Sequence, residues 1–258
     1  MKLSKIILAT FVTGTALLTG CEKNVVDDYV PSTEITANDA QLKINFNSAY
    51  AANPSVYFRI NGAKVSGPTT ARTPFPGGGF NTGGDARADY LVLTPGEKTV
   101  DVILPKKLVV EDSVKLYTTK ITIEAGKYHT LHITDTAANT QSVLGTEDVS
   151  RPDSGFAKLR FVNLMPNVPA VDLYYGTTVV AANIAYKSFS PYFPIAAVST
   201  LTWAIRKAGD PSTTTALATY AGTASISANR RVTTAFAIGF NGATDATRKP
   251  YISFLLTN

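Results

Sequence analysis

The chain has 258 residues, of which 45% are hydrophobic and 17% charged, and a formal net charge of +5; this composition supplies ample apolar surface for a folded core and excludes a disordered polymer. Lysine and arginine stand singly or in pairs, as at Lys106-Lys107 and Arg230-Arg231. No basic stripe follows a phosphate backbone, and no nucleic-acid partner is expected. With one cysteine in the chain, packing rather than a disulfide framework must hold the fold together.

Lys2 and Lys5 open a leader whose apolar stretch from Ile6 to Leu18 runs for 13 residues, short of the roughly 20 that cross a bilayer. A signal peptide is predicted over residues 1–20, ending in the small residues Thr19-Gly20. Leu18-Thr19-Gly20-Cys21 resembles the bacterial lipobox, which implies diacylation of Cys21, removal of the leader and acylation of the new amino terminus. The competing reading of Cys21 is a buried apolar thiol. Several acyl chains anchor durably where one binds reversibly, so the membrane is an expected partner through the lipid on Cys21. Loss of Lys2 and Lys5 lowers the net charge from +5 to +3. Residues 21–38 are polar and aperiodic and are expected to form a tether. Glu22, Asp27 and Asp28 faintly resemble the surface-export signals of some Gram-negative lipoproteins. The expected location is the bacterial envelope, at the outer membrane, on a side the residues leave open.

From Asp39 the chain breaks into short alternating segments separated by Gly, Pro, Asn and Asp, with no sustained helical period, the pattern of an all-β protein. Leu42, Ile44 and Phe46 alternate with Gln41, Lys43 and Asn45, as in a strand with one buried face. Val56, Phe58 and Ile60 run into Asn61-Gly62, a hairpin signal because both residues tolerate positive φ. Val100-Leu104, Ile121-Ile123 and Leu131-Ile133 give further strands.

The second half repeats this order. Ala157-Lys-Leu159-Arg-Phe161 mirrors Ala40-Gln-Leu42-Lys-Ile44, and Pro169-Ala-Val171-Asp-Leu173 mirrors Pro54-Ser-Val56-Tyr-Phe58. Leu201, Trp203 and Ile205 answer Val100, Val102 and Leu104, and Ala224-Ser-Ile226-Ser-Ala228 answers Ile121-Thr-Ile123-Glu-Ala125. Offsets drift between 101 and 117 residues. Two β-sandwich domains are therefore predicted, residues 39–149 and 150–258, joined near Ser150-Arg-Pro-Asp-Ser-Gly155.

Gly155-Phe-Ala-Lys-Leu-Arg-Phe-Val-Asn163 followed by Pro166-Asn-Val-Pro-Ala-Val-Asp-Leu-Tyr174 resembles the opening of the DUF4397 domain, found in tandem in bacterial surface and secreted proteins. The likeness covers residues 155–240 and, more distantly, 40–135. Tyr57 stands where the second copy has Asp172, and residues 67–89 form an insertion in the first. The resemblance implies two tandem immunoglobulin-like β-sandwiches and no established activity. Thr122-Ile-Glu-Ala-Gly-Lys-Tyr128 also resembles the tyrosine corner of such domains. Parity would then turn Tyr128, Thr130 and His132 inward, against the apolar Leu131 and Ile133 face, a conflict that pattern alone leaves open.

His129 and His132 are the only histidines, and their odd separation on a strand points them to opposite faces, away from a shared metal. No G-x-S-x-G, H-E-x-x-H or calcium loop occurs. Glu111-Asp112 and Glu147-Asp148 lie in segments that read as loops. No catalytic residue, metal ligand or cofactor is assigned. The glycine-rich Pro76-Gly84 run ends in Asp85 rather than Gly-Lys-Ser/Thr, so it is expected to be a flexible inserted loop and not a phosphate cradle. Phe75 and Phe80 flank or interrupt it and are the candidate binding residues, presented by a loop on a rigid sandwich, with core packing as the competing reading. Tyr186, Phe189, Tyr192 and Phe193 around Pro191 form a second aromatic cluster, expected to pack between strands. Together these features indicate a lipid-anchored, non-catalytic binding or adhesion module facing an extracellular protein or glycan. The alternatives are a glycan-binding component of an uptake system, marked by a row of exposed aromatics, and an extracellular hydrolase, marked by convergent carboxylates.

Overall fold

Strands dominate because β-branched and aromatic residues alternate with polar ones between turn-forming residues. The first half carries β1 (Ala40–Phe46), β2 (Tyr57–Ile60), β3 (Ala63–Lys64), β4 (Thr73–Phe75), β5 (Gly79–Phe80), β6 (Leu91–Leu93), β7 (Gly96–Leu104), β8 (Val114–Ile123), β9 (Tyr128–Thr134) and β10 (Gln141–Glu147). The second carries β11 (Phe156–Asn163), β12 (Ala170–Tyr175), β13 (Thr178–Ala185), β14 (Phe193–Ala196), β15 (Trp203–Lys207), β16 (Ala218–Tyr220), β17 (Val232–Ile238) and β18 (Tyr251–Leu256). The computed structural model describes residues 35–258 except 83, 85 and 106–113. The leader, Cys21, the tether up to residue 34, Lys106-Lys107 and Glu111-Asp112 lie outside the described residues.

The fold is all-β, two tandem immunoglobulin-like sandwiches of the same topology. In the first, one sheet runs β10-β9-β1-β4, with β6 also on β1, and the other β3-β2-β7-β8. In the second, β14-β11-β17-β18 faces β13-β12-β15-β16. β1 lies parallel to β9, as β11 does to β17, so the repeat in the residues is a repeat of strand order. Asn61 and Gly62 take φ of 49° and 83° and close the β2–β3 hairpin as their sequence requires. Leu42, Ile44, Phe46, Phe58, Leu131 and Ile133 fill the first core. Leu159, Phe161, Leu173, Trp203, Ile205 and Phe254 fill the second, where Trp203 lies 4.2 Å from the Tyr175 ring and 5.5 Å from that of Phe254.

Three expectations change. The alternation in β1 does not separate core from solvent, because all seven of its residues are buried: the second sandwich covers the face that carries Gln41, Lys43 and Asn45. Parity in β9 resolves in the same way, with Leu131 and Ile133 in the first core and Thr130 and His132 on an opposite face that is also buried. Ala224–Ala228 is a turn rather than a strand, tied by Ile226 N–H to the Thr223 carbonyl at 3.1 Å and by Ser227 Oγ to the Ser199 carbonyl at 2.7 Å. Ile226 nonetheless reaches the second core, while Leu201 is exposed and β15 begins at Trp203.

The glycine-rich insertion is not a free loop. Gly79 and Phe80 pair with Leu255 and Phe254, adding β5 to the edge of the second sandwich. Asn81 and Ser253 clasp it: Ser253 Oγ contacts the Phe80 carbonyl at 2.8 Å and Asn81 Oδ1 at 2.6 Å. The glycines permit close approach, since a Cβ on Gly84 would stand 2.9 Å from the Pro74 ring. A segment of the first half thus completes a sheet of the second.

Candidate functional site

Polar side chains on the outer faces of β1, β9 and β10 meet those of β11, β17 and β18, forming a buried charged layer between the sandwiches. Lys43 is fully buried, and Glu147 and Arg160 are 5% and 6% exposed. Lys43 stands opposite Thr130 across β1 and β9, and Arg160 opposite Thr234 across β11 and β17, so the two cations hold equivalent places in the two repeats. Each reaches across the interface. Lys43 Nζ donates to the Leu256 carbonyl at 2.7 Å and lies 4.5 Å from the Tyr90 ring centre. Arg160 Nη1 donates to the Thr146 carbonyl at 2.9 Å, its Nη2 lies 2.9 Å from Glu147 Oε1, and its guanidinium covers the Phe189 ring at 4.3 Å. The Nη2 contact is an ion pair off the line of a hydrogen bond. Glu147 Oε2 accepts from Tyr192 Oη and Thr234 Oγ1, both at 3.1 Å.

A glycine opens space for each cation. A Cβ on Gly145 would stand 2.5 Å from Arg160 Nη2 and 2.8 Å from Phe189 Cζ, and one on Gly78 would collide with Lys43 Nζ. Burial pushes the Lys43 amine down to about 8, with Glu147 and Asp89 opposing the shift. Burial raises the Tyr90 and Tyr192 phenols.

Beyond the charges the interface turns apolar. Val162, Leu164, Phe236, Ile238 and Leu255 form a third cluster, with Val143 and Phe189 against it. His132 lies within this region, its Nδ1 3.0 Å from Asn45 Nδ2 and its ring between Phe189 and Phe236 at 5.7 and 6.3 Å. Burial, with help from the Arg160 charge, holds its pKa at about 3. His129 sits on the other face, where Nε2 accepts from the Glu124 N–H at 3.0 Å. The two histidines do not converge. Among the described residues no group of three or more His, Cys, Asp or Glu could hold a metal ion, and no helix is long and apolar enough to cross a membrane.

One concavity of about 330 Å³ lies between Asn167–Ala170 and Lys207, and two larger ones lie where β10 ends and β11 begins. An open groove of about 490 Å³ lies over Phe156, and another of about 500 Å³ lies beside Lys127 and Tyr128; Asp148 and Ser150 line both. Lys158 and Ser150 donate to the Asp148 carboxylate at 2.8 and 2.6 Å and hold its pKa at about 2.

Phe75 packs toward Phe58 in the first core at 6.1 Å, and Phe80 lies against the second core beside Phe254. Both rings are half-buried, and the structure does not bring them together on one presenting loop. The second aromatic cluster serves the interface through Phe189 and Tyr192. Tyr128 packs edge-on against Tyr90 at 5.1 Å and makes no tyrosine-corner hydrogen bond among the described residues. Sequence reasoning missed the roles of Lys43, Arg160 and Phe156, and it read Glu147 into a loop, whereas Glu147 ends β10. The available signal was Lys43 and Arg160 at matching positions of the two copies.

The sequence model of one protein family, described as "Domain of unknown function (DUF4397)", matches residues 43–174 and 162–249. No curated protein matches the chain.

Proposed function

Because the chain belongs to the DUF4397 family, whose description carries no activity, we propose from the geometry that it is a non-catalytic binding or adhesion module, held in the bacterial envelope by acylation of Cys21. The observation that carries this reading is the buried layer of Lys43, Glu147 and Arg160. It commits these three buried charges to joining the two sandwiches, and leaves two open grooves along the Asp148–Asp153 connection. Rigid β frameworks displaying loops and shallow grooves suit recognition of an extended extracellular ligand. The test is to present the lipidated full chain to defined envelope and extracellular polymers, measuring both retention and product release. Retention without turnover is expected; release of new reducing ends or peptides would replace the reading with a hydrolase.

A further inference from the structure

We propose that the groove over Phe156 is a saccharide-binding subsite; this rests on the binding-module reading and names its ligand class. Ala157, Leu159 and Phe161 of β11 turn into the second core, so Phe156, Lys158, Arg160 and Val162 share the outer face. The first sandwich covers Arg160 and Val162, and its cover ends before Phe156, which is 45% exposed. Among the described residues Phe156 is the one aromatic side chain that is exposed rather than buried or half-buried. Among the described residues it makes no ring or cation contact that would explain its place.

The polar lining selects the ligand. Asp148 and Lys158 satisfy each other at 2.8 Å. Arg151 and Asp153 line the same groove, and neither side chain has a hydrogen-bond or ion-pair partner among the described residues. A ligand therefore meets one guanidinium fork and one carboxylate around a phenyl ring flanked by Pro152 and Pro194. The two acids disfavour an anion and the two bases disfavour a cation. A neutral pyranose complements both features: its C–H face packs on the ring, and adjacent hydroxyls donate to Asp153 and accept from Arg151. The open shape, about 490 Å³, suits one unit of a longer chain.

The walls are already fixed, which reduces the entropy lost on binding. Tyr192 Oη accepts from the Asp148 N–H at 2.9 Å, and Asn258 Nδ2 donates to the Val149 carbonyl at 2.7 Å. Arg230 Nε holds the Pro152 carbonyl at 3.2 Å, and Asn229 Oδ1 holds the Gly155 N–H at 2.8 Å.

The experiment titrates the lipidated full chain, in a detergent without sugar head groups, against arrayed neutral oligosaccharides (glucans, mannans and N-acetylglucosamine oligomers) and neutral peptides. Oligosaccharide binding is expected, weakened about tenfold or more by Phe156→Ala and retained by Phe156→Trp. Arg151→Gln and Asp153→Asn should each weaken it, and Val92→Ala, exposed on the first sandwich, should not. Saccharide affinity that survives Phe156→Ala overturns this subsite and leaves the binding reading standing. Binding of peptides alone overturns the ligand class. Silence across both arrays overturns the subsite, and the binding reading falls with it only when the envelope and extracellular polymers of the retention test also go unbound.

Discussion

Gly145→Ala probes the buried layer with a single methyl group. The added Cβ would stand 2.5 Å from Arg160 Nη2 and 2.8 Å from Phe189 Cζ, so the guanidinium or the ring must move. Gly145 is not among the glycines with positive φ, so alanine fits the backbone and narrows the unfolded ensemble, a gain of about 0.4–1 kcal/mol. Overpacking costs about 1–3 kcal/mol, and loosening the Glu147–Arg160 pair adds part of the roughly 3–5 kcal/mol that follows when one buried partner is lost. The expected net loss is about 2–4 kcal/mol, since the side chains yield partly. Urea unfolding followed by Trp203 fluorescence reads it, because this is the only tryptophan and is 1% exposed. Gly67→Ala, where φ is also not positive and a Cβ meets nothing within 4 Å, is the control and should keep stability or raise it by about 0.4–1 kcal/mol. Phe189→Leu placed on Gly145→Ala should recover part of the loss. Equal behaviour of the Gly145 and Gly67 variants would refute a tightly filled charged layer.

Lys43 gives a basic-side prediction. The unfolded amine keeps its proton to about 10.5 and the folded one to about 8, so between these values the unfolded chain binds more protons and stability rises with pH. A rise on the order of 1 kcal/mol is expected between about pH 7.5 and 9, where phenols of ordinary pKa are still largely protonated, and Lys43→Met should flatten it; parallel profiles would exclude Lys43 as the cause. His132 acts on the acid side: unfolded it takes a proton below 6.5, folded only near 3, so its contribution is whole above pH 6.5 and is lost as pH falls toward 3. His132→Phe should weaken that acid dependence in chemical denaturation profiles, and an unchanged acid limb would contradict the assignment. Cys21→Ala should abolish labelling by a fatty-acid analogue and release the protein from membranes; persistent labelling would remove the lipid anchor from the account.

The repeat, the β2–β3 hairpin and the core faces of β1, β2, β7 and β11 were legible because alternation and turn residues act locally. The cover on the other face was not. Gln41, Lys43 and Asn45 read the same whether water or a second polar sheet lies against them, since alternation reports the polarity of a residue and not its neighbour. Gly78 and Gly145 were opaque for a related reason: their partners, Lys43 and Arg160, are distant in sequence. Pro76–Gly84 looked like a loop because its pairing with β18 is made by backbone groups of Gly79 and Phe80, which leave no side-chain period. Phe156 lay inside the segment that carried the family likeness, yet its exposure depends on where the first sandwich ends, which only the assembled fold displays.

Differential scanning calorimetry of the full chain tests most directly whether the two sandwiches form one body. If the layer around Lys43, Glu147 and Arg160 unites them, heat absorption follows a single transition whose calorimetric and van't Hoff enthalpies agree, and Gly145→Ala moves that whole peak downward. Two separable peaks, with only one displaced by the substitution, would contradict it.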